Sequence, residues 1–246
     1  MVSHHIALCL VTRTPVDSWL KFLNTFINYD IYVIYDDNKD YDNKLYSNIK
    51  IIKIDNIICM NNGFRHATYR FHRQITAWDK AIYYFSKINT EYEHVWFMED
   101  DVFLYNEAIL VQLDSNNTAD LIIKSNNMNT GNKNNEWLWS RLYINLPYPW
   151  YGSMACMCRV SKKLFDQINI YVKSHNRLMF IEVMFNTLAN QNKLTVYNPN
   201  ELQTIAYRKN WTLNDLNCNQ IFHPIKIMTM QTSYREELQK IENPIV

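Results

Sequence analysis

Short apolar runs recur along the chain and stop abruptly at polar residues. Ile6 to Val11, Ile31 to Tyr35 and Val95 to Met98 are apolar at consecutive positions. Strands covered on both faces by helices in a parallel sheet read this way, which predicts these three at the sheet centre. Ile49 to Ile54 alternates with lysine and is predicted nearer an edge. Leu121 to Ile123 and Met154 to Val160 read as later strands. Between the third and fourth runs, Phe71, Ile75, Trp78, Ile82 and Phe85 recur at steps of four, three, four and three, one continuous stripe on a helix. Ser161 stands where a cap would open the helix that begins SKKLF. Phe180, Val183, Met184 and Leu188 share one face of a further helix, with Glu182 pointing away from it. Strands alternating with helical segments predict an α/β fold, Rossmann-like, with a mostly parallel central sheet flanked by helices.

Composition narrows the functions open to such a fold. With 246 residues, 48% of them hydrophobic, the chain can close a sizeable core. Its 25 basic and 24 acidic residues leave a formal charge of +1, which gives no basis for gripping nucleic acid. The only glycines, Gly63, Gly131 and Gly152, are too scattered for a phosphate loop or a dinucleotide fingerprint. Five cysteines with only Cys156 and Cys158 close together read as reduced, structural thiols rather than a disulfide framework. No run approaches the ~18 apolar residues of a membrane span, and the first is shorter than a signal-peptide core. The expectation is therefore a cytoplasmic protein without a transmembrane segment. Residues 125–135, rich in asparagine and without apolar periodicity, are predicted to form a mobile loop.

The candidate chemistry lies in HVWFMEDDVFLY, residues 94–105, where an apolar strand runs into Glu99, Asp100 and Asp101. Three adjacent acids repel one another, a cost that a cation or a ring of donors would offset. Ligands of open α/β sheets bind beyond the carboxyl ends of the strands, and hard carboxylate oxygens suit Mg²⁺ or Mn²⁺ bridged to a diphosphate. The competing reading is a solvated acidic turn. Asp36 and Asp37 end another central strand in the same way, and two acidic strand ends on one edge favour a site. A metal held by few carboxylates recruits further ligands, and His223 in IFHPIK is the candidate from the far end of the chain, with Lys226 beside it to neutralise phosphate oxygens.

The order of these features resembles nucleotide-sugar glycosyltransferases of the GT-A fold. It runs from a first strand ending near Thr12, through Asp36 and Asp37, to ITAWDKAIYYF at 75–85 and VWFMEDDVF at 95–103. The DXD motif of that family corresponds to Glu99, Asp100 and Asp101, with glutamate in place of the first aspartate. The asparagine-rich style is similar to that of large DNA virus proteins, which would place the chain in the host cytoplasm. The resemblance implies a single GT-A domain over residues 1–246, with 1–125 binding the nucleotide sugar and 126–246 forming the acceptor half and C-terminal tail. It implies Mn²⁺ or Mg²⁺ held by Asp101, Glu99 and His223, with Asp101 the principal ligand and Glu99 or Asp100 on the ribose or a metal-bound water. Asp36 and Asp37 would meet the base or ribose, and Arg13 and Lys80 the donor ribose or phosphates.

The donor so implied is a UDP- or GDP-sugar and the acceptor a glycan or other hydroxyl. Transfer with inversion needs a carboxylate to take the acceptor proton; Glu182, opening a late helix, is the candidate, and the helix dipole would favour its ionised form. Trp137, Trp139, Tyr148, Trp150 and Tyr151 offer flat surfaces suited to sugar faces, with at least two of these rings expected to be simply buried. Two other functions remain open. A sugar-phosphate nucleotidyltransferase would normally carry a glycine-rich N-terminal loop that is absent here, and an inactive carbohydrate-binding protein would bind no nucleotide diphosphate more tightly with Mn²⁺.

Overall fold

The computed structural model describes residues 6–37, 39–41, 45–68, 75–133 and 135–242. The first strand, β1 (Ile6–Thr12), is buried along its whole length. It lies between β2 (Asp30–Tyr35) and β4 (His94–Glu99), parallel to both, with Leu8 opposite Ile31 and Trp96. The lysine-bearing β3 (Ile49–Ile52) pairs with β2 and closes that edge, as its alternation predicts. Beyond β4 follow β8 (Met157–Ser161), β5 (Leu121–Ile122) and β9 (Val196–Tyr197), completing a seven-stranded sheet in the order β3-β2-β1-β4-β8-β5-β9. The α/β expectation holds: the sheet is mostly parallel and flanked by helices.

Helices cover both faces because strand side chains alternate between them. On one face Cys9, Val11, Tyr32 and Phe97 pack with residues of α3 (Ala77–Tyr83), α5 (Lys162–His175) and α6 (Ile181–Gln191). On the other, Leu8, Leu10, Val33 and Trp96 meet α1 (Asp17–Leu23) and α4 (Ala108–Asn116). A short helix α2 (Asn56–Asn61) follows β3. A third cluster, Phe103, Leu216, Phe222, Ile225 and Leu238, docks the C-terminal α7 (Met228–Glu242) beside the segment after β4.

Several expectations are corrected. The long stripe does not start at Ile75: Thr76 and Asp79 form a capping box, so α3 begins at Ala77 and passes into a π-helical stretch, Tyr84–Ile88. Phe71 lies outside the described residues. The strand expected from Met154 begins only at Met157 and runs antiparallel to β4; the Glu99 amide adds one more rung to that ladder by donating to the Cys156 carbonyl. Ser161 caps α5 by accepting from the Leu164 amide. The helix α6 is buried at Ile181 and from Val183 to Ala189, far more than one apolar face.

The first part of the asparagine-rich stretch is built rather than loose, while Asn134 lies outside the described residues. Within it β6 (Asn127–Asn129) pairs with β7 (Trp150–Gly152), and the Asn126 side chain accepts from Asn186 and Asn190 of α6. Asparagine amides thus replace the apolar contacts whose absence suggested a loop.

Candidate functional site

The parallel strands β1, β2 and β4 all end at one edge, which brings Thr12, Asp36 and Glu99 around a cavity of about 350 Å³ that Arg13, Trp78, Asp100 and Asp101 also line. Each member of the acidic trio has a different environment. Trp78 Nε1 donates to Glu99 Oε1 at 2.7 Å. Burial, and then the Asp101 charge, push the Glu99 carboxyl above its ordinary value against that hydrogen bond. Asp100 accepts from the Thr12 hydroxyl at 2.5 Å, while burial raises its pKa as well. Its backbone carbonyl is held by Trp19 Nε1 and Gln231 Nε2.

Asp101 meets His223 from the far end of the chain. A bridge between Phe103 and Phe222 and another between Ile205 and His223 carry the histidine to this edge. His223 Nδ1 lies 3.0 Å from the Ala206 carbonyl, which turns Nε2 toward the acids. That nitrogen comes within 3.2 Å of Asp101 Oδ1, yet this buried oxygen has no aligned hydrogen-bond donor. Two donor atoms roughly 3 Å apart match the spacing of neighbouring ligands on a small octahedral ion, whose bonds are ~2.1 Å. Burial pulls the imidazole down, but the Asp101 and Glu99 carboxylates outweigh it and hold it above its ordinary value. The site thus recruits positive charge.

Cys156 is a side chain near the site that sequence reasoning did not single out. It is a free, buried thiol, as expected, and its Sγ, a Glu99 oxygen and a His223 nitrogen lie within 4.8 Å of one another. Burial, with Glu99 close by, pushes the thiol far up, so it stands as a neutral donor beside Glu99. Nothing in the sequence marked it, since a cysteine entering a strand looks like core. The oxygen and imidazole donors of Glu99, Asp101 and His223 fit a hard divalent ion.

A second cavity, of about 510 Å³, adjoins the first through Glu99 and Thr68 and reaches Cys156, Phe180 and Glu182. Glu182 lies in the first turn of α6. Burial, and then the Glu99 charge, raise its pKa to about 8. This corrects the expectation that the helix terminus keeps it ionised: a dipole contribution of ~1 kcal/mol is smaller than the shift.

Other expected residues are placed differently. Lys80 is buried and donates to the Tyr35 and Asp36 carbonyls, so its ammonium fixes the end of β2 instead of projecting into the cavity. Asp37 accepts from Thr14, Lys39 and Tyr41 and holds the turn after β2, outside the cavity lining that Asp36 joins. Lys226 is exposed and lines a separate hollow with Arg208, Lys209 and Trp211. Of Trp137, Trp139, Tyr148, Trp150 and Tyr151 only Trp139 is buried, where at least two were expected to be. Among the described residues no helix is long and apolar enough to cross a membrane.

No family model matches the sequence, and no curated protein matches it. Among solved structures, the galactosyltransferase LgtC in complex with donor and acceptor sugar analogs is similar over 95% of this chain and 96% of that one, with a TM-score of 0.50 and 10% identity. The fold is that of a GT-A glycosyltransferase. An active-site mutant of LgtC is similar over 94% and 95% of the two chains, with a TM-score of 0.49 and 11% identity.

Proposed function

We propose that the protein is a divalent-metal-dependent glycosyltransferase, moving a sugar from a UDP- or GDP-sugar to a glycan or other hydroxyl acceptor. The observation that carries this reading is the meeting of Glu99 and Asp101, which line the cavity at the carboxyl edge of the parallel strands, with His223 from the far end of the chain. The glycosyltransferase fold supports it. Asp101, Glu99 and His223 would hold Mn²⁺ or Mg²⁺. Such an ion, when bound, supplies positive charge that stabilises the departing diphosphate.

The protein's own residues divide the remaining work. The cavity lined by Arg13 and Asp36 accommodates the nucleotide, with Asp36 presented to its ribose or base and Arg13, exposed at the rim, to its phosphates. Glu182 faces the acceptor cavity as the base of an inverting transfer. It takes the hydroxyl proton as the acceptor oxygen bonds to the anomeric carbon and the bond from that carbon to the diphosphate breaks. Because the Glu99 charge contributes to the raised pKa of Glu182, neutralising Glu99 readies Glu182 as a base.

The test is a melting-temperature panel of UDP and GDP with and without Mn²⁺, since a ligand bound to the native state stabilises it. One nucleotide is expected to raise the melting temperature more with Mn²⁺ than without, and Asp101→Ala to abolish the metal-dependent part. An Asp101→Ala protein that keeps the full metal-dependent shift overturns the assignment of the ligand. A wild-type protein indifferent to both nucleotides and Mn²⁺ overturns the function.

A further inference from the structure

The cleft continues past Glu182. The 510 Å³ cavity that holds Glu99 and Glu182 shares Trp137 and Met154 with a further cavity of about 460 Å³. This remote cavity is lined by Ser125, Asn127, Lys133 and Glu136, hydroxyl, amide and charged groups beside an indole face. Flat aromatic surface with polar edges matches a sugar ring, which has apolar C–H faces and a rim of hydroxyls.

Trp137, at the junction of the two cavities, is held there deliberately by the fold. Its φ is 50°, a left-handed conformation that strains a bulky residue. Even so, 46% of its surface stays exposed. The ring is propped edge-on by Trp139, with centroids 4.7 Å apart, and stacks on Phe180, with centroids 6.4 Å apart. Gly152 makes room for this pair: a Cβ there would come within 2.9 Å of the Trp139 ring and 3.2 Å of the Trp137 ring. Backbone strain, a missing side chain and an open indole together describe a rigid platform between two spaces.

We propose that the two cavities are consecutive subsites for an oligosaccharide acceptor. The unit that receives the transferred sugar sits beside Glu182, at least one further unit fills the remote cavity, and Trp137 stacks at the junction. The proposal rests on the glycosyl-transfer reading of the Glu182 cavity and adds the substrate class. A monosaccharide would leave the remote cavity and its polar lining unused.

The experiment is transfer from UDP- and GDP-sugars, with Mn²⁺, onto an array of mono-, di- and trisaccharides. Wild-type protein is expected to use at least one di- or trisaccharide about tenfold better than any monosaccharide. Asn127→Trp, an exposed β6 position lining only the remote cavity, fills that space and brings oligosaccharide use down to the monosaccharide level. Trp137→Ala raises the oligosaccharide KM about tenfold. Equal use of mono- and oligosaccharides, use of no saccharide, or oligosaccharide transfer unaffected by Asn127→Trp overturns the subsites. The Mn²⁺-dependent nucleotide melting shift is read on the same samples. Its absence removes the enzyme reading, whereas its presence with a flat array removes the subsites alone.

Discussion

A carboxyl titrating near 8 inside a cleft is neutral over most of the range in which proteins are handled, and Glu182 is such a group. Its folded pKa lies above its ordinary value of 4.5, so the folded state binds the extra proton. The associated stability is complete below about 4.5 and is lost as pH rises through about 8. Glu182→Gln removes that loss. The variant is expected to match the wild type at pH 5 and to exceed it at pH 9 by on the order of 3 kcal/mol in urea unfolding. Asp79, fully buried and raised to about 6 by burial, shifts the wild-type curve in the same direction, so the difference between the two proteins reports Glu182 together with its coupling to Glu99. A constant difference across pH would mean that Glu182 is ionised when folded. The same variant should lose transfer by at least ~100-fold, as expected for removal of a general base. At this scale the acidic trio was readable because three carboxylates after an apolar run conflict with their own repulsion. Trp78 and Cys156, which donate to Glu99, were not, because an indole on an apolar stripe and a thiol entering a strand look the same whether they serve the core or a site.

Among elements, consecutive apolar positions identified β1, β2 and β4, since strands covered on both faces leave no polar alternation. The reversal at β8 left no such mark. Its direction depends on what the strand pairs with, and a buried antiparallel strand is as apolar as a parallel one. What secures it is a polar hub. Arg159 of β8 reaches Asp114 of α4 with Nη1 at 2.5 Å, while Trp96 of β4 and Tyr29, just before β2, donate to the same carboxylate. The guanidinium is 1% exposed, so removing its partner leaves a buried, uncompensated charge. Asp114→Ala is therefore expected to cost about 3–5 kcal/mol in urea unfolding. Arg159→Met should cost less, because the Asp114 carboxylate it strands is 9% exposed and keeps its Trp96 and Tyr29 donors. Equal losses would show that the pair acts through packing alone.

At the scale of the whole molecule the candidate site draws on parts of the chain far apart in sequence: the end of β4, the start of α6, and the segment around His223. Sequence spacing could not reveal how these meet, because the joint is made by backbone carbonyls and a buried amide. The Ile225 amide donates to the Asp101 carbonyl at 2.7 Å. Gln231, fully buried on α7, donates to the carbonyls of Asp100 and Ile225 and accepts from Arg235. One side chain thus fixes the acidic trio against the segment that carries His223. Gln231→Leu keeps much of the volume but strands the Ile225 carbonyl and the Arg235 donor, which predicts a loss of about 1–3 kcal/mol in stability. Asp100 retains its Trp19 donor, so the protein still folds. Its registration against His223 loosens, and the Mn²⁺ concentration needed for half of the nucleotide-dependent melting shift should rise several-fold. Destabilisation with an unchanged Mn²⁺ midpoint would show that α7 supports the fold without setting the geometry of the metal ligands.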